Sequence, residues 1–97
     1  MARKITTDAI EAFMSGKKFN RDNTNVRLEN ETWILSLHGN DIAERVTYSR
    51  PVRISNGGWS SNTTKERLNG IPGVSIVQRK GVWYLNGEEW DGGWKKI

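Results

Sequence analysis

The chain has 97 residues, of which 35% are hydrophobic and 27% charged, with a formal net charge of +4, no Cys and a single His. That length supports one modest core and excludes two independent ones. Without Cys there is no disulfide framework, thiolate zinc site or cysteine nucleophile, and His38 alone excludes a multi-histidine metal site within one subunit.

The first element reads as a helix within residues 1–19. Ile5 ahead of a Thr6 cap, with Ile10 four positions on, matches a hydrophobic staple. Ala9, Ile10, Phe13 and Met14 form an apolar stripe at helical spacing, and Gly16 stops it ahead of Lys17 and Lys18. Residues 20–25 are polar and read as a connector. The period then changes to two: Val26 alternates with Leu28, and Trp33, Leu35 and Leu37 oppose Ile34 and Ser36, with Asn30-Glu31 as the reversal. Gly39-Asn40 predicts a tight turn, and a returning strand over 42–48 places Ile42, Val46 and Tyr48 on one side. Pro51 confines the strand over 52–54 to an edge or makes it that strand's opening residue.

Asn56-Gly57-Gly58-Trp59-Ser60-Ser61 leads into a short helix over 63–69. Thr63 and Glu66 are spaced as a capping box, and Gly70 is the stop. Pro72-Gly73 turns the chain, after which Val74, Ile76 and Gln78 alternate with Ser75, Val77 and Arg79. Lys80-Gly81 reverses direction, Val82 to Leu85 runs back, and Asn86-Gly87 is a strong hairpin signal before a stub at Glu88, Glu89 and Trp90. Asp91-Gly92-Gly93-Trp94 predicts a closing turn with an aromatic clamp. The expected architecture is α+β: one domain over 1–97, an antiparallel sheet of about five to six short strands over 24–97, an N-terminal helix and a short second helix. Whether the early and late strands share one sheet stays open.

Several of these pieces resemble a known pattern. They are His38-Gly39-Asn40 with Ile42-Ala43, Gly58-Trp59, Thr63-Thr64-Lys65, Arg67-Leu68-Asn69, Pro72-Gly73-Val74, Gly81 to Gly87 and Trp90-Asp91-Gly92. Together they are similar to a family of small, uncharacterised tailed-bacteriophage proteins, over roughly Trp33 to Trp94. The resemblance implies a phage origin and action in the cytoplasm of an infected bacterial host. It brings no catalytic residues to carry over.

The residues themselves point first to a candidate site at the start of the second helix. A helix mouth aims several backbone N–H groups in one direction and favours anions. Trp59, Ser61, Thr63, Thr64, Lys65, Arg67 and Asn69 form the candidate ligand-binding set, and Gly57-Gly58 would let a phosphate approach the backbone. The spacing is not that of a P-loop. An ordinary helix cap accounts for the same hydroxyls. A second candidate is the mixture of aromatic and basic residues at Arg79, Lys80, Trp83 and Tyr84, with glycine-flanked Trp59 and Trp94 as stacking platforms. For Trp83 the competing role is core packing, and for Trp59 and Trp94 a lid over the core edge. Lys17-Lys18 with Arg21 and Lys95-Lys96 are the local basic concentrations, and a solvated surface accounts for both. His38 beside Asp41 and Glu44 offers an acid–base reading, with a hydrogen-bonded turn histidine as the simpler one. Glu88, Glu89 and Asp91 point to alternating faces, which argues against a metal site.

The expected function is therefore a small non-enzymatic accessory protein that binds a phosphate-bearing ligand, nucleic acid first, needing no cofactor or metal. The alternative is a counter-defence protein that sequesters a nucleotide signal or docks on a host protein, with a pocket shared across a homo-oligomer. No apolar run reaches the length of a membrane span, so no membrane partner is expected.

Overall fold

A computed structural model describes residues 4–46, 51–58 and 61–97. Tyr48, Trp59 and Ser60, to which the sequence assigns roles, lie outside the described residues. Helix α1 (Lys4–Ser15) buries Ala9, Ile10, Ala12 and Phe13, one face at helical spacing. Gly16, at φ 79°, ends it, and the N–H groups of Gly16 and Lys17 both return to the Ala12 carbonyl. Two expectations for this helix change. Thr6 lies inside α1, fully buried, so it is no cap, and Met14 is 37% exposed.

Six strands form the larger antiparallel sheet: β1 (Phe19–Arg21), β2 (Thr24–Glu29), β3 (Thr32–Leu37), β4 (Asn40–Val46), β5 (Val52–Ile54) and, at the far edge, β9 (Lys95–Lys96). The supposed connector over 20–25 is a hairpin. Asp22 takes φ 55° at its turn, Phe19 pairs with Val26, and Phe19 packs against the core. Asn30-Glu31 and His38-Gly39 close the next two hairpins with positive φ at both central residues, which matches the right-handed strand twist. The second turn thus sits one residue earlier than the Gly39-Asn40 expected. β5 is flanked by β4 and β9, so Pro51 marks the residue before a strand and not a sheet edge.

The β3–β4 register carries a bulge. Leu35 pairs with Ala43 and Ser36 with Asp41, leaving Ile42 as the extra residue. The bulge breaks strict alternation, which is how Ile42 and Ala43 are both buried. Val46 is consequently not on the core side, and it is 46% exposed. Leu28 is also exposed, at the end of its strand.

After helix α2 (Asn62–Asn69), a second sheet follows: β6 (Ile76–Arg79), β7 (Val82–Leu85) and β8 (Glu88–Glu89), in that order. The early and late strands thus form two sheets, with only β9 crossing back to the first. Lys80-Gly81 and Asn86-Gly87 take the tight hairpin turns expected of them. Trp83 and Trp90 bring their rings to 6.1 Å, and the Trp90 indole donates to the Gly93 carbonyl at 2.9 Å. One continuous cluster unites Phe13, Val26, Leu35, Ile54, Leu68, Ile76, Trp83 and Trp90. Complete burial of residues such as Phe13, Leu35 and Leu68 contributes about 1.5–3 kcal/mol each. That cluster fixes α2 and the two-residue turn His38-Gly39 in relation to each other.

Candidate site at the mouth of the second helix

The approach to α2 is a chain of side-chain-to-backbone bonds. Ser55 Oγ accepts from Gly57 N at 3.0 Å, and Asn56 Oδ1 accepts from Gly58 N at 2.8 Å. Ser61 is the cap, in extended backbone geometry, and its Oγ accepts from Thr64 N at 3.1 Å. Thr63 is therefore not the cap and no box forms with Glu66. With Ser61 as the cap, Thr63 is the second residue of the helix and already carries helical backbone, two positions too late to act as the cap.

Next to this mouth lies a pocket of about 410 Å³. Leu37 and Ile42 give it an apolar part, and Asn40, Asn56 and His38 contribute two carboxamides and an imidazole. Ser61, Thr63 and Thr64 border it from the helix side. Among the described lining residues there is no carboxylate. The His38 turn is tied down: its N–H donates to the Asn23 carbonyl at 2.8 Å, and its Nε2 lies 3.4 Å from Asn23 Nδ2. The Ser61 and Thr64 hydroxyls lie 2.9 Å apart and bond to each other, and Ser61 caps the Thr64 N–H, so the protein's own side chains already cover part of the helix mouth. The Thr63 hydroxyl, the carboxamides and the imidazole, with no described carboxylate in the lining, suit a polar or anionic guest.

The other sequence-derived site residues turn elsewhere. Arg67 is 1% exposed and points into the protein. Its Nε donates to Thr24 Oγ1 at 3.1 Å, and its Nη1 donates to Thr6 Oγ1 at 2.7 Å and forms an ion pair with Glu66. Its Nη2 reaches Asn23 Oδ1 at 3.4 Å. One guanidinium thus joins α1, the β1–β2 turn and α2. Asn69 faces β6, and Lys65 donates to Gln78 Oε1 at 3.2 Å on the same strand. Of the candidate set, Ser61, Thr63 and Thr64 meet at the pocket, while Lys65, Arg67 and Asn69 do not. Asn40 and Asn56 were missed, although both sit in turn-forming motifs visible in the sequence.

Neither acidic residue near His38 in sequence is available to it as a base. Asp41 accepts from Arg27 Nη2 at 3.1 Å and from Ser36 Oγ at 2.8 Å, while Glu44 accepts from Arg53 at 2.8 Å. Arg27 also holds Glu29, and these carboxylates together keep the guanidinium pKa above its ordinary value. Among the described residues no grouping of three or more His, Asp or Glu side chains could hold a metal ion.

Residues 2–96 match the sequence profile of the Kyanoviridae Gp96 protein. The chain belongs to this phage family. The match takes in α1 as well as the motifs from Trp33 to Trp94, so the first helix is part of the shared pattern. No curated protein and no solved structure matched the chain. Among the described residues no helix is long and apolar enough to cross a membrane.

Proposed function

We propose that this phage protein is a non-enzymatic accessory protein that binds a phosphate-bearing ligand of nucleotide size in the pocket at the mouth of α2. The observation that carries the reading is the composition of that pocket. The Thr63 hydroxyl, two carboxamides and an imidazole border about 410 Å³ beside the mutually bonded Ser61 and Thr64 hydroxyls, with no carboxylate among the described lining residues. The partial positive charge of the helix start and the net charge of +4 both favour an anion there. A nucleotide signal captured during infection is the ligand class that fits, and sequestering it would serve counter-defence.

A long polymer is a poorer occupant of this same pocket. The cations that would follow its backbone, Lys65 and Arg67, are turned to Gln78 and into the protein interior. Thermal-shift measurements with inorganic phosphate, mononucleotides and cyclic nucleotides test the reading, with solution mass measured alongside. A ligand at tenfold its Kd adds about 1.4 kcal/mol and raises the midpoint by roughly 5–10 °C. Thr63→Glu, which places a negative charge at the mouth, should abolish that rise without changing the unliganded fold. If no phosphate compound stabilises the protein even at low salt, the proposal fails.

A further inference from the structure

Trp33, Trp83 and Trp90 are buried, whereas Trp94 is 43% exposed. Trp94 directly precedes β9, the outermost strand of the larger sheet, with which no described strand pairs on its far side. The Arg53 guanidinium lies over the Trp94 ring at 5.6 Å from its centroid, and that arginine also pairs with Glu44 at 2.8 Å. Arg53 and Lys96 are cross-strand partners, so the cation on the ring and Lys96 share one face, while Lys95 lies on the other side of β9 and lines the neighbouring concavity. Neither Lys95 nor Lys96 has a described carboxylate within ion-pair distance, so their charge faces solvent.

A concavity of about 500 Å³ opens beside the indole, lined by Glu89, Trp90, Asp91, Gly93, Trp94 and Lys95. Its two carboxylates repel phosphate. They are, however, acceptors for the amino group of a nucleobase, which adenine and cytosine carry and thymine lacks. Asp91 Oδ1 already accepts from Gly93 N at 2.9 Å, which fixes that carboxylate in place. An exposed aromatic ring, unpaired cations along an open edge, and acceptors recessed beside the ring are what a splayed single strand requires.

We propose that the β9 edge binds single-stranded nucleic acid, with an amino-bearing base stacked on Trp94 in the concavity and the backbone phosphates following Lys95 and Lys96. This surface is separate from the α2 pocket, and neither proposal depends on the other.

Fluorescence anisotropy with labelled short oligodeoxyadenylate, oligodeoxycytidylate and oligodeoxythymidylate, and with a matched duplex, tests it. The adenylate and cytidylate should bind at low salt, quench tryptophan emission, and weaken steadily as salt rises. Trp94→Ala should lose at least about tenfold in affinity, whereas Trp94→Phe should retain most of it because a ring still stacks. A Lys95→Glu/Lys96→Glu double variant should flatten the salt dependence. Thr63→Glu should leave oligonucleotide binding intact, which separates failure here from failure of the nucleotide pocket. Binding of thymidylate or duplex as tightly as adenylate, an unchanged Trp94→Ala variant, or no binding at low salt would each overturn the proposal.

Discussion

The Asn69 carboxamide makes a strand-like pair of hydrogen bonds with the backbone of Ile76, accepting from its N–H at 2.6 Å and donating to its carbonyl at 3.1 Å. β6 is an edge of the smaller sheet, and an edge residue exposes both groups to any chain able to pair with them. Asn69 closes that position from within the molecule and ties α2 to the hairpin.

Asn69→Ala should therefore destabilise the protein by about 1–3 kcal/mol, since two backbone groups lose a partner. Asn69→Asp keeps the acceptor but sets a carboxylate oxygen against the Ile76 carbonyl, so it should destabilise the protein as well. Urea denaturation gives the energies. Hydrogen exchange at the Ile76 amide should accelerate far more in the Ala variant than exchange at α1.

Arg67 is expected to be the most sensitive polar residue of the fold. Arg67→Ala leaves Glu66, Thr6 and Thr24 without their shared partner, and breaking a buried pair in this way costs about 3–5 kcal/mol. Arg67→Lys should recover little, because an ammonium cannot span Thr24, Thr6 and Asn23 with one planar fork. Equilibrium unfolding of the two variants checks this. Near-wild-type stability in Arg67→Ala would show that the network is dispensable.

The glycines differ in what a side chain would meet. Gly92 has φ 91°, and a Cβ there would clash with the Asn56 carboxamide. Gly81 has φ 80°, and no atom lies within 4 Å of the same position. Gly81→Ala should cost only the left-handed backbone penalty of about 1–2 kcal/mol. Gly92→Ala should cost clearly more, because it also displaces the Asn56 carboxamide, whose Oδ1 accepts from Gly58 N at 2.8 Å. Thermal midpoints of the two variants make the comparison.

Much of this architecture was legible in local chemistry. Asn30-Glu31, Lys80-Gly81 and Asn86-Gly87 are turn-forming pairs at hairpin positions, and period-two alternation over Trp33 to Leu37 and Val82 to Leu85 marked real strands. β1 was hidden because Phe19-Asn20-Arg21 has little strand character of its own and is extended by pairing with β2. The bulge at Ile42 was hidden because a one-residue insertion leaves no compositional trace. At the candidate site, the helix start was readable but the roles of its residues were not. The burial of Arg67 is decided by Thr24 and Thr6, 43 and 61 positions away along the chain. Asn40 and Asn56 reach the pocket through the same long-range folding.

Asp8, on α1, makes stability depend on pH through its pairing with Arg21 of β1. Its hydrogen bond from Arg21, at 2.9 Å, is the main cause of a pKa below the ordinary carboxylate value, with Lys4 adding to it against some desolvation. A depressed folded-state pKa means stability that is complete above the unfolded value and lost as pH falls through the folded one. Asp8→Asn should therefore be less stable than wild type near neutrality, by a small amount because the pair is at the surface. The difference should shrink as pH falls below about 4. Urea midpoints of both proteins across that range provide the check.

Binding in the pocket between the His38 turn and the mouth of α2 is visible in an NMR titration of the backbone amides with a mononucleotide at low salt. Saturable shifts are expected at His38, Asn40, Asn56, Thr63 and Thr64, with their loss in Thr63→Glu. Absence of shifts at these amides, or shifts confined to Trp94, Lys95 and Lys96, would contradict it.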